Sequence, residues 1–371
     1  MIGQKGLWTT RGGGGVERHV AELAPRLVGL GFEVVVYARR KYCRPVCPPS
    51  TGGVRLIYLP TIYTKHLEAI VHTIFSTLHA LWLRPDVYHF HGVGPALVSW
   101  MPRLFHPRAL VVVTFHAQDQ FHQKWGWIAR RILRAGEWMA CHVPHATITV
   151  SHALTVFVRK TYGRKPVYIP NGATPKTVTT FGRVLALGLT PHQYLLTVGR
   201  LLPVKGIHDL LRAFRPLKTD RHLAIVGVSG DDAYVAQLKK LAQGDRRIVF
   251  LGYQGGRTLE ELYANAAVFV QPSTSEGLPL AVLEAIGYGA PVLVSDIPGN
   301  REAMHGVGFT FEAGNVSVLS ETLSELLRHT ERTQASGREG QHQLRAWASW
   351  DTVAERTADV YRSLHLYVAS S

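Results

Sequence analysis

Along the first half of the chain, short runs of β-branched and aromatic residues alternate with longer stretches whose apolar positions recur at helical spacing. Residues 32–37, 87–90, 110–115 and 146–150 read as strands. The clearest helix spans 16–30, where Val16, Val20, Leu23, Leu27 and Leu30 fall on one face and Gly31 follows as a cap. The second half repeats the scheme, with strands expected at 194–198, 223–226, 248–251, 268–270 and 291–295. Helices are expected between them at 206–214, 233–242, 259–264 and 280–288. Strands alternating with helices predict an α/β protein with parallel sheets covered on both faces. Two Rossmann-like βα domains are expected, residues 1–172 and 173–350, changing over in the Pro-, Gly- and Thr-containing stretch 170–190. The segment 350–366 reads as a helix crossing back, which assigns 351–371 to the first domain. Ligands in open α/β sheets bind beyond the carboxyl ends of the strands, so two facing domains predict a cleft. The first strand is reduced to Met1 and Ile2, where about five residues are usual; either the strand has been lost or the true start lies upstream. That shortening is expected to cost stability and to endanger the placement of Gly12, Gly13, Gly14 and Gly15.

Bulk composition narrows the class. The chain has 371 residues, 46% hydrophobic and 18% charged, which fits a soluble globular protein of two domains. The longest apolar stretch, 69–83, is broken by His72, Thr73, Ser76 and His79 and falls short of the roughly 18 residues of a membrane span. The first residues lack the apolar core of a signal peptide, so a cytoplasmic protein is expected. Cys43, Cys47 and Cys141 are too few for a disulfide framework, and the Cys43/Cys47 pair has no second pair with which to hold zinc. Lys plus Arg number 41 against 26 Asp plus Glu, a net charge of +15, which favours anionic partners. No zinc finger, RNP signature or basic helix points to nucleic acid. Basic residues mixed with aromatics, Lys65, His66, Trp82, Arg84, Lys124, Trp125 and Trp127, fit peripheral contact with an anionic membrane, at the inner face of the cell membrane.

Three constellations carry candidate chemistry. Gly12 to Gly15 open directly into the helix that begins with Val16, Glu17, Arg18 and His19. Glycines let the backbone approach a phosphate, and a helix N-terminus offers free N–H groups; a plain flexible loop is the alternative. In the second, a strand ends at Val198 and Gly199, and Arg200 and Lys205 follow before the next helix. Two cations there suit a diphosphate, Arg gripping two oxygens and Lys acting as a point charge; the alternative is a solvated surface pair. The third is the run from Ser275 through Glu276, Gly277, Leu278 and Pro279 to Glu284. Pro279 suits the first turn of a helix, leaving Glu276 in the loop before it and Glu284 inside. Glu276 could be a helix cap. Glu284 lies in an apolar stretch and, if buried, needs a polar partner; ribose hydroxyls would serve.

These motifs resemble family 4 of the retaining glycosyltransferases, which have the two-domain GT-B fold. The resemblance rests on Gly13 to Val20, on Ile169-Pro170-Asn171-Gly172, on Val198-Gly199-Arg200 with Pro203 to Gly206, and on Glu276 and Glu284 with seven residues between them and Pro291 to Asp296 after them. The opening Ile2 to Gly6 and the region from Lys124 to Glu137 are similar to a rhamnosyltransferase-like subset of bacterial polysaccharide pathways. The resemblance implies that Arg200 and Lys205 bind the donor diphosphate, Glu284 the ribose, and Tyr253 the base through its backbone. It implies Glu276 beside the transferred sugar, with the N–H groups of Gly277 and Leu278 nearby and His116 also against that sugar. Gly14 and Gly15 would close over the phosphates. Two departures stand out: Ala117 follows His116 where relatives often carry Gly or Asp, and Pro279 has no N–H to offer a phosphate.

The expected function is transfer of a sugar from a UDP-, GDP- or dTDP-linked donor to a glycan or lipid-linked acceptor. The resemblance implies retention, by front-face attack in which the departing phosphate takes the acceptor's proton. The first-domain loops 58–65 and 118–127 are expected to meet the acceptor. No cofactor and no metal are expected, and no Asp-x-Asp motif is present. Rival readings are a GT-B-shaped epimerase or phosphorylase, and a non-catalytic scaffold that binds membranes through a basic face.

Overall fold

The computed structural model describes residues 1–7, 13–43, 50–64, 67–117 and 127–369. Gly12, Cys47, Lys65, His66, Lys124 and Trp125, with the rest of the 118–126 segment, lie outside them. The chain divides into two compact units, one of Met1–Asn171 with Trp350–Ser371 and the other of Gly172–Ser349.

The first unit is built on β1 (Val35–Arg39), β2 (Ser50–Thr51), β3 (Val54–Leu59), β4 (Val87–His91), β5 (Leu110–Phe115), β6 (Ala146–Thr149) and β7 (Val167–Tyr168). β1 pairs in parallel with β3, which takes β2 antiparallel on its other side. β4, β5, β6 and β7 follow one another in parallel. Residues 1–5 join these two sets. Ile2 bridges Phe90, with the Ile2 N–H donating to His89 O and the His91 N–H to Ile2 O, both at 2.9 Å. On the other side the N–H groups of Tyr37 and Arg39 donate to Met1 O and Lys5 O, and the Gln4 amide reaches Tyr37 O at 3.0 Å. β5 is buried along its whole length, which its Leu-Val-Val-Val-Thr-Phe run anticipates for the centre of a parallel sheet.

The helix Gly15–Gly29 turns Val20, Leu23, Ala24 and Leu27 inward, and His19 with them. The last helix, Trp350–Ala369, belongs to this unit. It buries Trp350, Val353, Ala354, Ala358 and Tyr361. Arg26 Nε meets Asp351 at 2.8 Å, and Arg356 donates to Tyr168 O at 2.6 Å. Cys43 lies buried under Gly6 in the same core, where a Cβ on that glycine would come within 2.2 Å of its sulfur.

The second unit carries β8 (Tyr194–Val198), β9 (His222–Val226), β10 (Ile248–Gly252), β11 (Val268–Gln271), β12 (Val292–Ser295) and β13 (Phe309–Phe311). All pair in parallel, in the order β10-β9-β8-β11-β12-β13. Its core takes Leu195, Ile225, Val270 and Leu293 from the strands, Leu210, Leu211 and Phe214 from the helix Ile207–Phe214, and Leu319 and Leu323 from the helix Val316–Arg328. Burying each such side chain contributes roughly 1.5–3 kcal/mol over leaving it in water. The strand order reverses between β8 and β11, which is where an open α/β sheet parts its loops to receive a ligand.

Candidate active-site residues and the family

At that reversal two loops meet. β8 runs out through Gly199 and Arg200 into a short 3-10 turn, Pro203–Lys205, and Gly206 then caps the helix Ile207–Phe214. Gly206 sits at φ +64°, and a Cβ there would lie 1.9 Å from Pro272 O. The loop after β11 therefore presses directly on the loop after β8, and only glycine permits it. Across this contact Lys205 Nζ pairs with Glu276 Oε1 at 2.5 Å. The same oxygen accepts from Ser273 Oγ at 2.7 Å and Gln271 Nε2 at 2.8 Å. Burial alone would raise the Glu276 carboxyl, but the Lys205 ammonium and these two donors outweigh it and hold the group below its ordinary value. Glu276 is thus an anion fixed by a cation, not a helix cap.

The frame around Glu276 is itself braced. Ser295, ending β12, hydrogen-bonds Ser273 O, and Asn300 Nδ2 donates to Ser295 Oγ at 2.8 Å. Gly299 packs so closely that a Cβ would lie 2.6 Å from both Glu276 O and Gly277 O. Gly277 and Leu278 are buried. Pro279 stands one position before the helix Leu280–Gly287, as its N-cap with φ −71° and ψ 112°, and not inside the first turn. Glu284 lies on that helix, half-buried, and the polar partner it needs includes the Tyr263 hydroxyl at 3.2 Å.

Two further residues marked out in this unit are Arg200 and Tyr253. Arg200 is exposed and makes no ion pair among the described residues. Tyr253, 40% exposed, follows β10 on the far side of β9.

In the first unit Gly14 precedes the helix Gly15–Gly29 in extended conformation. The Glu17 carboxylate takes the N–H of Gly14 at 2.7 Å and of Lys5 at 3.0 Å. An internal anion therefore already sits at this helix N-terminus, the reach-back expected of a Glu three positions after the cap. Glu17 was visible within the quoted motif, yet it carries no role in the sequence reading.

His116 follows β5, half-buried, and belongs to a cluster. Its Nε2 lies 3.3 Å from His91 Nδ1, and its ring stands 4.8 Å from the His19 ring. His19 Nδ1 lies 2.9 Å from Asn171 Oδ1, so two quoted motifs, Gly13 to Val20 and Ile169 to Gly172, meet through these side chains. His19, His91 and Asn171 are missed by the sequence reading as individual residues. Burial, first, and then the neighbouring histidines push His91 and His116 well below their ordinary value. Burial lowers His19 to about 4 against the hydrogen bond it donates to Asn171. The cluster is neutral at physiological pH, able to exchange hydrogen bonds but not to offer charge.

Comparison with known proteins matches both units. Residues 13–176 match the model of Glycosyltransferase Family 4, and residues 188–343 that of Glycosyl transferases group 1. A glycogen synthase of Mycobacterium tuberculosis is 27% identical over 94% of this chain and 91% of its own length. Among solved structures, sucrose-phosphate synthase from Thermosynechococcus elongatus gives a TM-score of 0.83 at 20% identity, covering 100% of this chain and 98% of that one. Anabaena Alr3699/HepE, in complex with UDP-glucose, gives 0.78 at 18% identity, covering 96% and 98%. With a family 4 first half and a group 1 second half in that order, on this pair of parallel-sheet units, the chain is a glycosyltransferase of the GT-B fold.

Proposed function

We propose that this protein transfers a sugar, with retention, from a nucleotide-diphosphate donor to a glycan or lipid-linked acceptor in polysaccharide or glycoconjugate synthesis. The observation that carries the reading is the Lys205–Glu276 pair at the strand-order reversal of the second unit. It sets a cation and a carboxylate on the two loops where such a sheet takes its ligand. HepE, of the same fold, is a complex with UDP-glucose, which supports a nucleotide sugar. In this reading Arg200 and Lys205 stabilise the departing diphosphate without a metal, helped by the N–H groups of Gly277 and Leu278. Glu284 meets the ribose, Tyr253 the base, and Glu276 the sugar. In the first unit the N–H of Gly15 serves a phosphate oxygen, that of Gly14 being already taken by Glu17, and the neutral His116 serves a sugar hydroxyl. The phosphate leaving the sugar takes the acceptor's proton as the new bond forms on the same face.

The test is thermal unfolding with UDP, GDP and dTDP. One nucleotide should raise the midpoint, because a ligand that binds only the folded state stabilises it. The rise should shrink sharply in Arg200→Ala. Equal shifts in both proteins would remove Arg200 from the diphosphate site.

The acceptor side of the reading includes peripheral membrane contact. Among the described residues no helix is long and apolar enough to cross a membrane. The helix Glu68–Leu83 instead shows Phe75, Leu78 and Trp82 along one exposed stripe, Trp82 being 79% exposed. Trp127 and Trp138 are exposed on the helix Trp127–His142, beside the exposed Arg131 and Arg134. Aromatic and cationic side chains together suit an anionic lipid surface. Sedimentation with anionic but not neutral vesicles, lost in Trp82→Ser, is the expected result.

A further inference from the structure

The histidines of the first unit present a second kind of chemistry. His19 comes from the helix Gly15–Gly29, His91 ends β4, and His116 follows β5. One ring nitrogen from each lies within 4.8 Å of the other two. His91 and His116 approach to 3.3 Å, close to the roughly 3.3 Å edge of a tetrahedron with metal–nitrogen bonds of about 2.0–2.1 Å. We propose that His19, His91 and His116 bind one late first-row divalent ion, zinc above all, through three imidazole nitrogens with a fourth position left open.

Each residue is prepared for that role. Asn171 Oδ1 can only accept, so the 2.9 Å contact puts the proton of His19 on Nδ1 and leaves the Nε2 lone pair free. A ligating histidine characteristically donates its other N–H to an oxygen in this way. His91 turns Nδ1 toward His116 Nε2, and its buried Nε2 has no hydrogen-bond partner among the described residues, so neither ring nitrogen is held by a residue outside the cluster. His116 is the half-buried member.

The nearby His89 is excluded, because its Nδ1 is held by the Tyr361 hydroxyl at 2.6 Å and its Nε2 by Thr114 Oγ1 at 2.7 Å. Burial keeps the three rings neutral, and a neutral imidazole is what a metal takes up. An all-nitrogen set suits zinc, copper or nickel and not magnesium or calcium, which want oxygen. The widest gap must contract by about an ångström and a half, which rotation of imidazole rings about χ2 delivers.

His116 is also the residue assigned to the transferred sugar, so the occupied site is the inhibited form of the enzyme. That consequence rests on the transferase reading, whereas binding itself does not. The full chain, stripped with a chelator, is titrated with Co²⁺ and the ligand-field absorption followed, then displaced with Zn²⁺. One ion per chain is expected. His116→Gln should weaken binding at least tenfold, and the exposed His342→Gln should not change it. If His19→Gln fails to fold, His116→Gln still decides the matter. No saturable 1:1 binding, or equal affinity in His116→Gln and His342→Gln, overturns the proposal. Zinc bound at 1:1 with transfer unchanged leaves the metal site standing and removes His116 from the sugar.

Discussion

Replacing Lys205 by Met tests whether the electrostatics of the second unit are as the geometry reads. The Glu276 side chain is 10% exposed and that of Lys205 20%, so the variant strands a mostly buried carboxylate. Removing one partner of a fully buried pair costs about 3–5 kcal/mol. Ser273 and Gln271 still donate to Glu276, and the pair is not wholly dry, so about 2–3 kcal/mol is expected near neutral pH. For a unit of this size that is a fall in midpoint of about 4–12 °C.

The pH dependence separates this from mere loss of packing. In the native protein the Glu276 carboxyl lies below its ordinary value. Its stabilising share is therefore present above the unfolded value and lost only as pH falls through the lowered one. In Lys205→Met burial goes unopposed by the ammonium, the carboxyl rises, and mild acid protonates it, relieving the strain. The deficit measured by urea unfolding should shrink to about 1 kcal/mol near pH 5. Lys205→Met/Glu276→Gln should recover part of the loss at neutral pH. An equal deficit at both pH values, or no recovery in the double variant, would refute the pairing.

Other expectations follow from the same coordinates. Gly206→Ala places a Cβ 1.9 Å from Pro272 O at a positive φ and should cost at least about 3 kcal/mol; an unchanged urea midpoint would contradict the loop contact. His19 is held at about 4 and His91 and His116 well below their ordinary value. Unfolding exposes bases that then take protons, so stability should be full above about pH 6.5 and decline toward pH 4, as a midpoint series from pH 8 downward would show. Tyr361→Phe removes the hydroxyl from His89 Nδ1 and should destabilise the first unit by about 1–2 kcal/mol; hydrogen exchange in β4 reads it.

What the sequence discloses and what it hides divide by range along the chain. The strands at 110–115 and 194–198 are legible because a buried parallel strand is apolar throughout. The glycine turn and the two Glu residues are legible because their spacing is local. Val54–Leu59 is unread, a short strand whose pairing with β1 is set by tertiary contact. The helix Thr330–Trp347 has almost no apolar stripe because it packs through backbone: a Cβ on Gly337 would lie 2.3 Å from Gly289 O. The partner of Glu276 lies 71 residues away and that of His19 152, and no periodicity announces such pairs. The need of Glu284 for a polar neighbour is readable from its apolar surroundings, but the Tyr263 hydroxyl that meets it is not.

The placement of the last helix gives the chain an order of events. The first unit is left at Asn171 and rejoined at Trp350, with His89, Arg26 and Phe32 waiting for residues synthesised only after the second unit. During translation the entire second unit emerges while its predecessor still lacks a wall. The unit started before the other is therefore finished after it, and nascent chains halted before Trp350 should carry a finished second unit and an open first one.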